Sequence, residues 1–261
     1  MSMNKILSFS LLFFLFGSLL LFYSRHPAPK KEGILKFTKA IHGEKGFVVI
    51  ELFTSQGCSS CPPADRLLGR FKDRENVFAL SFHVDYWNRL GWADPFSKSE
   101  YSRRQEKYVE KLGSSGPYTP QVFINGQSEM VGSDEEKIEA AIKQFQFIQS
   151  PDEVIIDEIK LENGRASITF SVPDKERNSV ANVALVQNKS VTFIRAGENE
   201  GAMLTNHNVV KEFKTISTRN KDKNTVAVDL LPGLQPKDCS IIVYLQDIQT
   251  GKIYAAAKSA L

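Results

Sequence analysis

The sequence predicts an α/β domain, then an all-β domain of antiparallel sandwich-like type, behind an apolar N-terminal segment. Three observations carry this. A short apolar, β-branched run, Phe47 to Phe53, leads through a cysteine pair into Ala64, Leu67, Leu68 and Phe71 at helical spacing. Strand-type and helix-type periods then alternate to about residue 149. From Ser150-Pro151 onward only the two-residue period of strands remains, broken by polar turns. The divisions are a signal or anchor segment at 1–24, a linker at 25–46, the α/β domain at 47–149 and the β domain at 150–261.

The 261 residues suffice for two ordinary domains once a leader is set aside. Apolar residues make up 42% and charged residues 24%, a globular balance. Net charge is +3, or +2 without Lys5, the only charged side chain in residues 1–24. With no basic stripe interleaved with aromatics, nucleic acid is not an expected partner. Three cysteines are too few for a disulfide scaffold, and no cofactor motif is visible.

Ile6 to Tyr23 is an uncharged run of 18 residues. As a helix it spans about 27 Å, enough for a bilayer core. It reads as an uncleaved membrane anchor or as a cleaved signal peptide. Phe22-Tyr23-Ser24 is a poor cleavage site, which favours the anchor. Either way the rest is exported, to a periplasmic or cell-envelope location where disulfides are permitted.

In the α/β part, the first helix runs to about Arg70. Asn76 to Asp85 is a second strand, and Tyr86 to Pro95 an aromatic loop at its carboxyl end, where open α/β sheets place their sites. Lys98 to Leu112 is a helix ended by Gly113. Pro120 opens a strand, Asn125-Gly126 turns it and Gln127 to Val131 returns. Ser133 caps a last helix with the buried stripe Ile138, Ala141, Ile142 and Phe145.

Cys58-Ser59-Ser60-Cys61 at a strand-to-helix junction, with Thr119-Pro120 ahead of a later strand, resembles the thioredoxin fold. More closely, the chain resembles an exported thioredoxin-like bacterial family of unassigned function. The resemblance rests on Glu51 to Asp65, His83-Val84-Asp85-Tyr86-Trp87, Gly91-Trp92 and Tyr118-Thr119-Pro120-Gln121. It implies that Pro120 packs on the cysteine pair and that Thr119 helps shape a substrate groove. It also implies a buried acid that handles the proton of the second thiol, a role carried to Glu51 although the spacing is off by one. The chain departs from the pattern in its Ser-Ser insert and in Pro62-Pro63, which places the helix start at Pro63 rather than Cys58.

On this reading Cys58, first and more exposed, is the nucleophile and Cys61 the resolving thiol. Ser59 and Ser60 supply hydrogen bonds to the sulfur anion. Asp85, Trp87 and Trp92 line a substrate groove or simply pack as an aromatic loop. The function expected is exported thiol–disulfide exchange with protein or small-molecule thiols and disulfides. Two alternatives stand beside it: a copper or other metal site made of Cys58, Cys61 and His83, and a non-enzymatic binding module with a structural disulfide. Copper-binding proteins of thioredoxin fold have three residues between the cysteines; here there are two.

The second half offers about eight short strands and no catalytic set. Ile159 and Leu161 alternate, Asn163-Gly164 turns, and Ala166 to Val172 alternate back. Val180 to Gln187, Val191 to Arg195, Val209 to Ile216, Thr225 to Leu230, Cys239 to Gln246 and Lys252 to Ala257 follow. Cys239 is expected as a small buried apolar residue. Gly197 to Gly201 is a loop placed to face the cysteines.

Overall fold

Strand β2, Val48–Thr54, is buried at all seven positions, as a strand covered on both faces must be. Its even positions, Val48, Ile50 and Leu52, pack under α1, Pro62–Phe71, and α3, Glu135–Gln146. Its odd positions Val49 and Phe53 face the opposite layer, where α2, Ser99–Leu112, contributes Tyr101 and Tyr108. This is a computed structural model, and it describes residues 33–36, 46–150, 152–172, 178–219 and 222–261.

Around β2 lie β3, Val77–His83, paired in parallel, and β4, Gln121–Ile124, paired antiparallel and followed by β5, Ser128–Val131. Asn125 and Gly126 turn the β4–β5 hairpin with φ of 48° and 63°. Asn125 also acts as backbone, accepting from Val49 N at 2.6 Å and donating to Phe47 O at 3.1 Å.

The remaining strands are β1, Gly33–Lys36; β6, Ile155–Glu162; β7, Arg165–Ser171; β8, Ser179–Phe193; β9, Met203–Ser217; β10, Lys223–Asp229; β11, Cys239–Asp247; and β12, Ile253–Ala260. They complete two sheets. A four-stranded sheet has the order β1-β6-β7-β10, and an eight-stranded sheet the order β12-β11-β8-β9-β3-β2-β4-β5. One core lies between the four-stranded sheet and β8, β11 and β12, and Cys239 is buried there.

The expected fold class, a thioredoxin-like α/β domain followed by a separate sandwich-like domain, is therefore corrected. The structure is mostly β, and its larger sheet is mixed and continuous across residue 150. β9 joins β3 in parallel at Ser81↔Val209. Asn208, at φ 46° and buried, donates from Nδ2 to Ala79 O at 2.9 Å, and Tyr101 OH donates to Val210 O at 3.2 Å. The layer beneath α2 draws on both halves: Phe53, Phe82 and Phe123 pack with Ala184, Val186, Val210, Ile242 and Tyr244. Phe82 meets Phe213 edge-on at 5.3 Å. Glu32–Leu261 forms one compact unit. Each half has a core of its own, but this third layer belongs to both. The N-terminal apolar segment lies outside the described residues, among which no helix is long and apolar enough to cross a membrane.

A shared layer makes unfolding a single event. Asn208→Ala removes the bond to Ala79 and forces a Cβ-bearing residue without a polar side chain into the left-handed region, at a cost of about 2–4 kcal/mol. Urea unfolding followed by tryptophan fluorescence and far-ultraviolet dichroism will show one coincident transition, shifted down by that amount. Two separable transitions, with only one shifted, would contradict the continuous sheet.

Candidate functional site

The cysteine pair sits on the turns between β2 and α1. Cys58 N donates to Ser55 O and Cys61 N to Cys58 O, each at 3.2 Å, and Cys61 is the N-cap of α1. The helix begins at Pro62, where a missing N–H costs nothing. Its free N–H groups thus lie nearer Cys61 than Cys58, and the two sulfurs differ for local reasons.

Both cysteines are free thiols. Cys58 Sγ lies 3.2 Å from Ser60 Oγ and 3.8 Å from Thr119 O, the carbonyl of the cis Thr119–Pro120 peptide. Trp87 Nε1 donates to Thr119 Oγ1 at 2.8 Å. The Cys61 thiol, followed by Ser60 and Thr119, holds the Cys58 thiol down at about 6 against the opposing effect of burial. Cys61 is pushed far above the ordinary thiol range by burial first, then by the Cys58 sulfur and by the Asp65 charge. One sulfur is set to ionise and its neighbour to keep its proton.

Beneath Cys61 is an acid that the sequence reading passed over. Asp65 is four residues on, in the first turn of α1, and 3% exposed. Thr54 Oγ1 donates to Asp65 Oδ2 at 3.3 Å and is also within bonding reach of the Cys61 thiol. Burial pushes Asp65 up to about 7, while His83 and the Thr54 hydroxyl pull it back. Behind it His83 Nδ1 meets Asp94 Oδ2 at 2.7 Å. Burial disfavours the charged imidazole, yet Asp94 raises its pKa; burial likewise works against the Asp94 carboxylate, and His83 lowers it.

Glu51 does not take the role of this acid. It is an odd position of β2 and faces α2, where Arg104 Nε and Nη2 hold its Oε1 at 3.0 and 2.8 Å and Tyr108 and Tyr244 donate to it. A shift of one residue along a strand changes the face, and Thr54, an even position, is the β2 side chain that reaches the cysteines' side. Asp85 Oδ1 accepts from Ser102 Oγ at 2.5 Å and so ties the aromatic loop to α2 rather than lining a groove. Trp92 Nε1 donates to Gln56 Oε1 at 3.2 Å, one shell from the cysteines. Cys58, Cys61, Thr119 and Trp87 do come together, with Pro120 following Thr119 through a cis peptide. Cys58, Cys61 and His83 do not form a metal set: among the described residues no group of three or more such side chains is placed to hold an ion.

The expectation that Cys58 is the more exposed sulfur is corrected, since both cysteines are 0% exposed while Ser59 and Ser60 are open to solvent. The second half of the chain binds the backbone of this turn. Between β8 and β9, Gly197 and Gly201 turn with φ of 81° and 82°. Asn199 Nδ2 donates to both Gln56 O and Cys58 O at 2.9 Å, and Glu198 Oε2 accepts from Ser59 N at 2.9 Å. Gln56 is held in turn by Asp94 through its N–H at 2.8 Å and by Asn206 through Nε2 at 2.9 Å. Asp65 was findable as a carboxylate one helical turn after the second cysteine; Glu198 and Asn199 were marked by their glycine-bounded loop, into which the family resemblance also extends.

A crystal structure of a protein from Agrobacterium tumefaciens is similar over 85% of this chain and 95% of its own, at 28% identity and a TM-score of 0.63. A domain of the outer membrane lipoprotein Omp28 from Porphyromonas gingivalis matches 42% of this chain and 94% of its own, at 18% identity and a TM-score of 0.25. A β-glucosidase from Kluyveromyces marxianus matches 43% of this chain and 14% of its own, at 14% identity and a TM-score of 0.20. No curated protein matches the chain. A family model described as a protein of unknown function, DUF1223, matches residues 49–246, a span that takes in the cysteine turn, Thr119-Pro120 and the Glu198–Asn199 loop, and the chain belongs to that family.

Proposed function

We propose that the protein is an exported thiol–disulfide exchange protein working through Cys58 and Cys61. The observation that carries the reading is the inequality of two adjacent free thiols: Cys58 is drawn toward the thiolate beside Thr119, and Cys61 is kept protonated above Asp65. The thioredoxin-like resemblance of the cysteine and Thr119-Pro120 segments supports it, and the uncharged run Ile6 to Tyr23 supports export.

The steps balance as follows. Cys58 thiolate attacks one sulfur of a substrate disulfide, forming a mixed disulfide and releasing the other sulfur as a thiolate that takes a proton from water. Asp65, as carboxylate, accepts the Cys61 proton with Thr54 between them. Cys61 thiolate then attacks Cys58 Sγ, and the second substrate thiolate leaves. The protein ends oxidised and the substrate reduced; the reverse order oxidises a dithiol. Burial of both sulfurs means that exchange requires the Asn199 contacts to open. The same burial favours a second reading, a structural pair that closes once and does not turn over.

The two readings part on a trapped intermediate. In the full chain with Cys61→Ser, glutathione disulfide will form a stable mixed disulfide on Cys58, seen by mass spectrometry. Its absence, with Cys58 unmodified, selects the structural pair. Iodoacetamide labelling of Cys58 will rise with a midpoint near pH 6 rather than near 9. Asn199→Ala loses two hydrogen bonds of about 0.5–1.5 kcal/mol each, so this labelling will speed up about 5- to 150-fold. Asp65 gives a stability test. With its pKa raised on folding, the folded protein binds more protons than the unfolded chain between about 4 and 7. Stability therefore falls as pH rises through that window. Asp65→Asn will flatten this fall in urea denaturation, and will slow the Cys61 step while leaving Cys58 labelling in place.

A further inference from the structure

A second site lies away from the cysteines, over the outer face of α2. A cleft of about 460 Å³ opens between α2 and the ends of β8, β9 and β11, and neither cysteine lines it. That volume suits a small molecule. Its floor is a buried polar network with one donor left over. Arg104 Nη2 is shared among Glu51, Tyr108, Tyr244 and Gln246, and Nε goes to Glu51. Nη1 makes no hydrogen bond among the described residues, although the Arg104 side chain is only 15% exposed. Asn182 and Gln246 beside it are satisfied: Asn182 donates to Gln246 Oε1 at 2.9 Å and accepts from Thr215 at 2.7 Å, while Gln246 donates to Tyr108 OH at 2.7 Å.

The charges around the cleft do not cancel. Its lining carries Arg103, Arg104, Lys107 and Lys111 against Glu100 and Asp247. Asp247 is turned into its own loop, accepting from Gln249 N, Thr250 N, Thr250 Oγ1 and Tyr254 OH. Lys111 Nζ is spent on Ile248 O and Gln249 O, each at 2.8 Å. Glu51 balances one charge of Arg104 from behind. Arg103 Nη1 donates to Ser99 Oγ at 3.1 Å and Glu100 lies 3.8 Å from Lys98 Nζ, so the unspent donors of the lining include Arg104 Nη1 and the exposed Lys107, which has no partner among the described residues. The wall beside them is apolar. The Phe213 ring lies 4.8 Å from the Arg104 guanidinium carbon, and Ile248 is 46% exposed.

We propose that this cleft binds a small organic monoanion, its carboxylate on Arg104 Nη1 and Lys107 Nζ and its flat apolar body against Phe213 and Ile248. Arg accepts planar carboxylates by geometry as well as by charge. The site is independent of the thiol chemistry and stands or falls apart from it.

Indole-3-acetate and its uncharged analogue indole-3-acetamide serve as probes, titrated calorimetrically into the full chain. The acetate will bind, and the amide will bind at least about tenfold more weakly, a single charge-assisted pair being worth that much. Lys107→Glu, an exposed substitution that leaves the core intact, will weaken the acetate about tenfold and leave the amide unchanged. Phe213→Ala will weaken both. Equal affinity for acid and amide, no effect of Lys107→Glu, or no binding of the acetate overturns the proposal.

Discussion

The join of β3 to β9 is the constraint on which the rest depends. Parallel strands cannot be linked by a tight turn, so β9 must arrive from far along the chain, and its contact with β3 spans little more than Ser81 and Val209. So short a ladder does not hold by itself. It holds because Asn208 adds a side-chain bond to Ala79 O, Tyr101 adds one to Val210 O, and Lys98 Nζ donates to Lys211 O at 2.6 Å. Phe213 seals the layer below against Phe82. Most of the energy lies in that apolar layer, at roughly 25 cal/mol per Å² buried; the polar bonds set the register.

Register at this join decides what reaches the cysteines. β8 and β9 pair over Val180↔Ser217 to Phe193↔Met203, and their connecting loop is carried beyond the sheet toward the turn after β2. There Asn199 and Glu198 meet the backbone of Gln56, Cys58 and Ser59. The second half of the chain is thus part of the site's own wall. A change of register would withdraw both side chains from that turn at once.

The local elements were legible in the sequence; their assembly was not. β2, α1, α2, the Asn125-Gly126 hairpin and α3 follow from period and turn chemistry, which act within a few residues; the cap expected at Ser133 is instead Asp134, whose side chain accepts from Lys137 N. β8 and β9 were read as shorter pieces because Lys189, Ser190 and their neighbours interrupt the apolar alternation where the ribbon is exposed. Nothing local marks Val209 as the partner of Ser81. The cysteine pair and Thr119-Pro120 were legible because their chemistry is carried by spacing and residue type. Glu51 was misplaced by strand parity, and Asp65 was missed because a carboxylate in a first helical turn ordinarily reads as a response to the helix dipole. Only its burial beside Thr54 and His83 gives it another role.

That burial bears on how two identical side chains become unequal. Neither thiol is distinguished by solvent, since both are enclosed. The difference arises from what each sulfur meets: donors from Cys61, Ser60 and Thr119 offset burial at Cys58, whereas at Cys61 burial acts first and the Cys58 sulfur and the Asp65 charge add to it. Each sulfur sharpens the contrast, because the Cys61 proton that stabilises an anion on Cys58 is the proton that such an anion holds in place. Beside Cys61, burial has brought Asp65 to about 7 for reasons unrelated to sulfur. In the proposed exchange Asp65 would be that base, and the dry packing that raises it is the packing that encloses the pair.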